Sequence, residues 1–204
     1  MTKTQILFVE GTDDQHVIWA LLKHNEVPAA FSVEQKGGVE KLLAVLPVQL
    51  KGSGVKAVGV VIDADTNLSA RWGSIQAILQ AMGYHSVPPA PAEAGTILSE
   101  ADLPKFGVWL MPDNVLTGML EDFVAKLVPS GDAGFAHAQT VLTSLPAGVQ
   151  KFAPVHFAKA HIHTWLAWQS DPGTPMGLAL TKKYLDAGSP DAAAFLRWLK
   201  DLFL

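Results

Sequence analysis

One stretch of ten residues decides the fold of this chain: Lys56-Ala57-Val58-Gly59-Val60-Val61-Ile62-Asp63-Ala64-Asp65. Its apolar residues follow one another without alternation, which predicts a strand that is buried on both faces in the middle of a parallel sheet. The strand leads into two carboxylates, at Asp63 and Asp65. Because residues two apart on an extended chain point to the same side, both can reach one cation or an adjacent pair. A solvated turn that leads to Asn67 is the alternative interpretation.

Two more apolar runs are followed by acidic residues. The first is a strand predicted over Thr4–Val9, and the second is the run Gly107–Met111. The acids that follow are Glu10, Asp13 and Asp14 after the first run, and Glu121 and Asp122 after the second. The carboxyl ends of parallel strands share one edge of a sheet, where ligands bind, so we expect these acids to gather there.

Helical spacing of apolar residues separates the predicted strands. Further strands are expected over Phe31–Gln35 and over Thr96–Leu98, the latter pairing with Phe106–Met111. Helices are expected from Asp13 onward and over 39–50, 70–82, 115–127, 135–145, 161–169 and 192–203. This alternation predicts an α/β fold, a three-layer sandwich with a central, mostly parallel, Rossmann-like sheet. We expect residues 1–130 to form this core, and residues 131–204 to form a helical C-terminal part packed on it as one compact unit.

Composition limits the possible chemistry. The 204 residues include no cysteine, which excludes disulfides, zinc thiolate sites and cysteine nucleophiles. No glycine-rich dinucleotide or Walker motif and no serine-hydrolase elbow is present. The net charge is −4 and the pI about 5.9, unlike the basic surface of most nucleic-acid binders. A nucleic-acid substrate would therefore need metal ions or a basic partner to help hold its phosphates.

The start of the chain, Met1–Thr4, leads directly into a predicted strand without the apolar segment of a signal peptide. No apolar stretch reaches the roughly 18 residues that cross a bilayer. We therefore expect a soluble cytoplasmic protein without membrane association.

Carboxylates that gather without Lys or Arg between them repel one another, and a cation among them removes that repulsion. Oxygen ligands of this kind suit Mg²⁺ or Mn²⁺. Gly11 allows a sharp turn that exposes Glu10 as a metal ligand or general base. The alternative for Glu10 is a plain turn with a helix cap at Thr12 or Asp13. The alternative for Glu121 and Asp122 is a solvated helix face.

Another group of chemically active side chains lies near residue 160. Lys159 can contact a phosphate or stabilise developing negative charge. His161 and His163 can act as proton donors, phosphate contacts or metal ligands. The alternative is a helix start with partly exposed histidines.

Four segments together resemble the TOPRIM domain, which topoisomerases, bacterial primases and OLD-family nucleases share. They are Val9-Glu10-Gly11-Thr12-Asp13-Asp14, Val61-Ile62-Asp63-Ala64-Asp65, Leu120-Glu121-Asp122-Phe123 and the segment 159–168. The last two of these segments resemble a small stand-alone TOPRIM-like family of unassigned function, related to the OLD nucleases. No topoisomerase tyrosine can be placed, and the ATPase domain that OLD nucleases carry is missing.

The resemblance implies a four-stranded parallel sheet and magnesium-dependent cleavage or transfer of phosphodiesters in DNA or RNA. It makes Glu10 a ligand or general base and places Lys159 near the scissile phosphate. The metal ligands that it implies are Glu10, Asp14, Asp63, Asp65, and Glu121 or Asp122. Gly11, Lys159, His161 and His163 are the expected substrate contacts.

Three functional hypotheses follow. The first is a nuclease or other phosphodiester-processing enzyme that acts with a separate ATPase partner. The second is a non-catalytic module that binds metal or nucleotide and recognises a protein through the apolar closing helix, which ends in Leu202 and Phe203. The third is a hydrolase of small phosphate esters.

Overall fold

The computed structural model describes residues 5–28 and 30–204. The strands are β1 Gln5–Val9, β2 Ser32–Gln35, β3 Ala57–Asp63, β4 Thr96–Leu98 and β5 Lys105–Met111. The helices are α1 Thr12–His24, α2 Val39–Leu50, α3 Leu68–Ala81, α4 Leu120–Ala125, α5 Ala133–Thr143, α6 Phe157–Ala167, α7 Met176–Thr181 and α8 Pro190–Phe203, with a short 3-10 helix, Pro154–His156, before α6. The predicted beginning of β1 at Thr4 lies outside the described residues.

The five strands form one sheet in the order β2-β1-β3-β5-β4. Strands β2, β1, β3 and β5 are parallel to one another, and β4 runs antiparallel to β5. In this register Val9 lies beside Val61, and Asp63 lies beside Met111. The predicted α/β three-layer sandwich with a mostly parallel central sheet is confirmed, and β1, β3 and β5 end at one edge.

The central strand β3 divides the core into two layers, as its unbroken apolar sequence requires. Val58, Val60 and Ile62 pack with α2 and α3 on one face. Ala57 and Val61 face the other layer, where α1 and α4 to α8 cover the sheet. The helices of the C-terminal part thus share one hydrophobic core with the sheet, while a boundary at residue 130 stays a prediction.

Two glycines on adjacent strands allow α8 to approach the sheet closely. Gly59 on β3 pairs in register with Gly107 on β5. A Cβ atom added at Gly59 would lie 2.9 Å from the Leu202 side chain on α8, and one added at Gly107 would lie 2.5 Å from it. Leu202 and Phe203 are accordingly buried. The apolar face of α8 therefore belongs to the core and is not a free docking surface.

The predicted helix over 115–127 is wrong at its beginning, because α4 starts only at Leu120. The Asp113 carboxylate accepts hydrogen bonds from the N–H groups of Val115 and Leu116 and holds that segment in a turn. Gly118 follows with φ +146°, a conformation outside the helical region. A non-helical loop therefore carries the chain from β5 to α4.

Two further expectations need correction. Helix α6 begins at Phe157, four residues earlier than predicted, so Lys159 lies in its first turn. The sequence also gave no indication of α7, a short helix that packs closely against α1. Within the described ranges, no helix combines the length and apolarity needed to cross a bilayer.

The contact between α7 and α1 depends on the absence of a side chain at Gly177, where a Cβ would lie 2.8 Å from the backbone of His16. We expect Gly177→Ala to lower the free energy of unfolding by about 1–3 kcal/mol, since two backbones must separate. In α3, Gly73 has open space around it, so Gly73→Ala is the matched control and should gain up to about 1 kcal/mol from helix propensity. Urea unfolding measures both, and equal effects of the two substitutions would contradict this packing.

Candidate functional site

A cavity of about 440 Å³ opens at the carboxyl edge of the sheet. It lies where β1 and β3 end, beside the first turns of α1, α4 and α6. Six acidic residues line it, together with the lysine predicted to contact substrate: Glu10, Asp13, Asp14, Asp63, Asp65, Glu121 and Lys159. Gly11, Thr12, Gly37, Gly38 and His156 also line it. Most of the predicted site residues therefore do come together.

Glu10 connects the ends of the first and third strands. Its Oε1 accepts a hydrogen bond from the N–H of Asp63 at 2.9 Å. Its backbone carbonyl accepts from the N–H groups of Gly37 and Gly38, both at 2.9 Å. Burial raises the pKa of Glu10, which favours its use as a base near neutral pH. The two glycine N–H groups are thus occupied and do not form a free phosphate cradle.

Asp14 is the most deeply placed acid of α1, with 6% of its surface exposed. Its Oδ2 accepts from the N–H of Gly11 at 3.0 Å and caps the helix, so the expected cap at Thr12 or Asp13 is wrong. Its Oδ1 is buried without any hydrogen-bond partner. Burial, followed in effect by the charges of Glu10 and Glu121, raises the pKa of Asp14 to about 7.

Asp63 is the electrostatic centre of the cluster. Burial, together with the negative charges of four other acids, raises its pKa to about 9: these are Asp14, Glu10, Glu121 and Asp65. Its Oδ1 accepts from the N–H of Leu120 at 3.0 Å, so the carboxylate fixes the beginning of α4 against the sheet. The same side chain thus fixes α4 to the sheet and lies among the negative charges of the cluster.

Asp65 is placed differently from the expectation of an extended chain. Strand β3 ends at Asp63, and Asp65 has a left-handed backbone with φ 51°. It exchanges backbone hydrogen bonds with Gly118, both at 2.8 Å. Its carboxylate is half-exposed and pairs with Arg71, whose Nε donates to the Asp63 carbonyl. The extended backbone from which the sequence prediction started therefore ends before Asp65, although both residues still line the cavity.

Glu121 and Asp122, adjacent on α4, diverge in space. Glu121 is 4% exposed and pairs with Lys159 at 2.8 Å, an interaction that raises the pKa of the lysine. Asp122 accepts from the N–H of Met119 at 2.8 Å and lines a neighbouring cavity instead. Lys159 and Arg71 thus lie among carboxylates that the sequence suggested were free of basic partners.

The two histidines predicted as substrate contacts, His161 and His163, do not line the carboxylate cavity. His161 is buried, its Nε2 lies 2.8 Å from the carbonyl oxygen of Phe135, and its ring stacks on Phe135. A contact with a carbonyl requires that Nε2 carry the proton and donate. His163 is exposed and lines a different cavity, which also includes Lys159 and His156. His156 was missed as a site residue, although it precedes Lys159 by the three residues that place side chains on one helix face.

The donors of this cavity fit a hard cation in kind. They are carboxylate oxygens in a buried setting, and the unpartnered Oδ1 of Asp14 is one of them. Among the residues that the structure describes, no group of three or more His, Cys, Asp or Glu side chains is arranged to hold a metal ion as it stands. Side-chain rotation would be needed to bring Glu10, Asp14 and Asp63 to one ion. Water molecules complete the shell at many magnesium sites.

The raised pKa of Asp63 predicts how metal-free stability depends on pH. Since its pKa is about 9 when folded against 3.8 as the ordinary value, the folded protein keeps a proton that the unfolded chain releases. The free energy of unfolding should therefore fall as pH rises from about 4 towards 9. In Asp63→Asn we expect the decrease in the free energy of unfolding between these pH values to be smaller by at least about 1 kcal/mol. One pKa unit corresponds to about 1.4 kcal/mol.

Urea unfolding in EDTA at acid and alkaline pH measures the effect. Asp201→Asn, at an exposed position of α8, is the control and should keep the wild-type pH dependence. An unchanged pH dependence in Asp63→Asn would contradict the electrostatic account.

Comparison with known proteins adds one result. A search of curated proteins and a search of solved structures returned no match. Residues 4–204 match the model of a family described as "Protein of unknown function (DUF3226)". Because that match extends over nearly the whole chain, the protein belongs to the DUF3226 family.

Proposed function

We propose that this protein is a TOPRIM-like, magnesium- or manganese-dependent enzyme that processes phosphodiesters, as a nuclease does. One observation carries the proposal: Glu10, Asp14 and Asp63 converge in a cavity at the carboxyl edge of the sheet, and one buried oxygen of Asp14 has no partner. A buried carboxylate oxygen without a hydrogen bond is costly unless a ligand satisfies it. A divalent cation is the ligand that this donor chemistry suits.

The cation would be held by Glu10, Asp14 and Asp63. When bound, such an ion lowers the pKa of a water molecule and neutralises charge on a phosphate. Asp63 keeps its contact with Leu120 through one oxygen and offers the other. Glu10 would serve either as a third ligand of the ion or as the general base that accepts the proton of the attacking water.

Lys159 is the group that would contact the phosphate. Its ammonium pairs with Glu121 at the rim of the cavity and is half-exposed. A substrate phosphate would compete with Glu121 for that ammonium, and Lys159 would then stabilise the negative charge of the transition state. Glu121 therefore orients the lysine before the substrate arrives.

The metal itself can be tested without knowing the substrate. We expect Mg²⁺ or Mn²⁺ to raise the melting temperature of the wild-type protein, because binding to the folded state alone stabilises it. Asp14→Asn should abolish this increase while keeping the cap on Gly11, which needs only one carbonyl oxygen. Asp201→Asn, at an exposed position of α8 that does not line the cavity, is the control and should keep the increase. A full response in Asp14→Asn would overturn the metal site.

The role of Lys159 can be tested through activity on plasmid, single-stranded DNA and RNA with Mn²⁺. We expect Lys159→Ala to reduce cleavage by about 10²-fold, as the removal of one transition-state contact does. Lys159→Arg should recover part of the rate, and Lys151→Ala, at an exposed position, should be unchanged. Equal rates for wild type and Lys159→Ala would remove the lysine from the mechanism.

One observation favours a second candidate, a hydrolase of small phosphate esters. Lys159 and Arg71, which contact carboxylates of the site, are already ion-paired, so they offer little attraction to a long polyanion. Action on nucleic acid would need a basic partner protein. We propose that a separate ATPase is this partner. Turnover of a small ester such as p-nitrophenyl phosphate, without cleavage of nucleic acid, would select the small-ester enzyme. The burial of Leu202 and Phe203 removes the main argument for a non-catalytic docking module.

A further inference from the structure

A second, larger cavity of about 570 Å³ adjoins the carboxylate cavity. Asp65 and Met119 line both, so the two cavities share part of their wall. The remaining walls come from the loop before α4 and from α4, α5 and the beginning of α6. Small-molecule sites are commonly of this size, at roughly 300–1,000 Å³.

The walls of the two cavities differ in charge. The carboxylate cavity includes Lys159, whereas the residues described around the larger cavity include no lysine or arginine. Two carboxylates, Asp65 and Asp122, lie in its wall. An anionic group is therefore repelled from the larger cavity and directed to the cation ligands and Lys159. A neutral part of the same substrate is the part that fits the larger cavity.

The chemistry of the wall indicates what that neutral part is. Phe135 and Phe157 supply aromatic surface, and the His161 ring centroid lies 3.9 Å from that of Phe135 and 6.2 Å from that of Phe157. Thr117 and Gln139 add groups that both donate and accept hydrogen bonds. Aromatic rings with polar neighbours suit a flat heterocycle, and carboxylates accept from its amino groups or from sugar hydroxyls.

We propose that the larger cavity binds the nucleoside part of a nucleotide whose phosphate lies in the carboxylate cavity. The inference rests on the proposed function and narrows its substrate class. The preferred substrate presents one nucleoside beside the reacting phosphate, as a free nucleotide or the end of a strand does. A long duplex that lies across a basic surface is not what this arrangement recognises.

Calorimetric titration with three probes tests the proposal: adenosine monophosphate, ribose 5-phosphate and adenosine. In the presence of Mg²⁺ we expect the wild-type protein to bind adenosine monophosphate at least about tenfold more tightly than ribose 5-phosphate, which lacks the base. Ala158 lines the larger cavity, so Ala158→Trp should fill it. This variant should lose most of the preference for adenosine monophosphate over ribose 5-phosphate, because the base can no longer enter the cavity.

Ala167→Trp, at an exposed position on the same helix, is the control and should bind all three probes as the wild type does. Phe157→Leu, a milder change, should weaken adenosine binding several-fold if Ala158→Trp fails to fold. Equal affinity of the wild type for adenosine monophosphate and ribose 5-phosphate would overturn the nucleoside site. So would unaltered binding in Ala158→Trp or Phe157→Leu.

The same titrations separate this inference from the proposed function. If Mg²⁺ has no effect on the affinity for either phosphate while adenosine still binds the wild type and not Ala158→Trp, the metal chemistry is wrong and the nucleoside site stands. If Mg²⁺ strengthens ribose 5-phosphate binding while adenosine fails to bind, the metal site stands and the nucleoside site is wrong.

Discussion

The Asp63 carboxylate is the interaction on which both the fold and the candidate site depend. It accepts the N–H of Leu120, while the N–H of Asp63 donates to Glu10. One residue at the end of the central strand thus joins β1, β3 and the beginning of α4. These bonds keep a non-helical loop from separating α4 from the sheet and bring Glu121 to the same cavity. The geometry that stabilises the loop also gathers the charges.

Gathering these charges has an energetic cost that the rest of the core offsets. The pKa values of Asp14 and Asp63 rise to about 7 and about 9, because burial and mutual repulsion both disfavour the charged form. Such perturbed acids concentrate at functional sites, where the strain serves binding or catalysis. The sandwich can carry this cost because helices cover both faces of the sheet and bury β3 almost completely.

The sequence was sufficient for the sheet and for part of the site, for a definite reason. Unbroken apolar runs identify buried parallel strands, and the shared carboxyl edge then places Glu10 and Asp63 near each other. What failed depends on backbone conformations that periodicity does not encode. The left-handed backbone at Asp65 turns its carboxylate to Arg71. The contribution of Arg71 could not be predicted, since its partner is chosen by that turn.

The close packing of α8 on Gly59 and Gly107 has a consequence for how the molecule is made. The two central strands emerge from the ribosome early, but Leu202, which covers them, is synthesised far later. Until then the part of the sheet that α8 covers stays exposed, and a nascent chain in that state is prone to aggregate. Contacts between residues so distant in sequence also form slowly, because a long loop must close first. Efficient production in a cell therefore depends on protecting this intermediate until α8 docks.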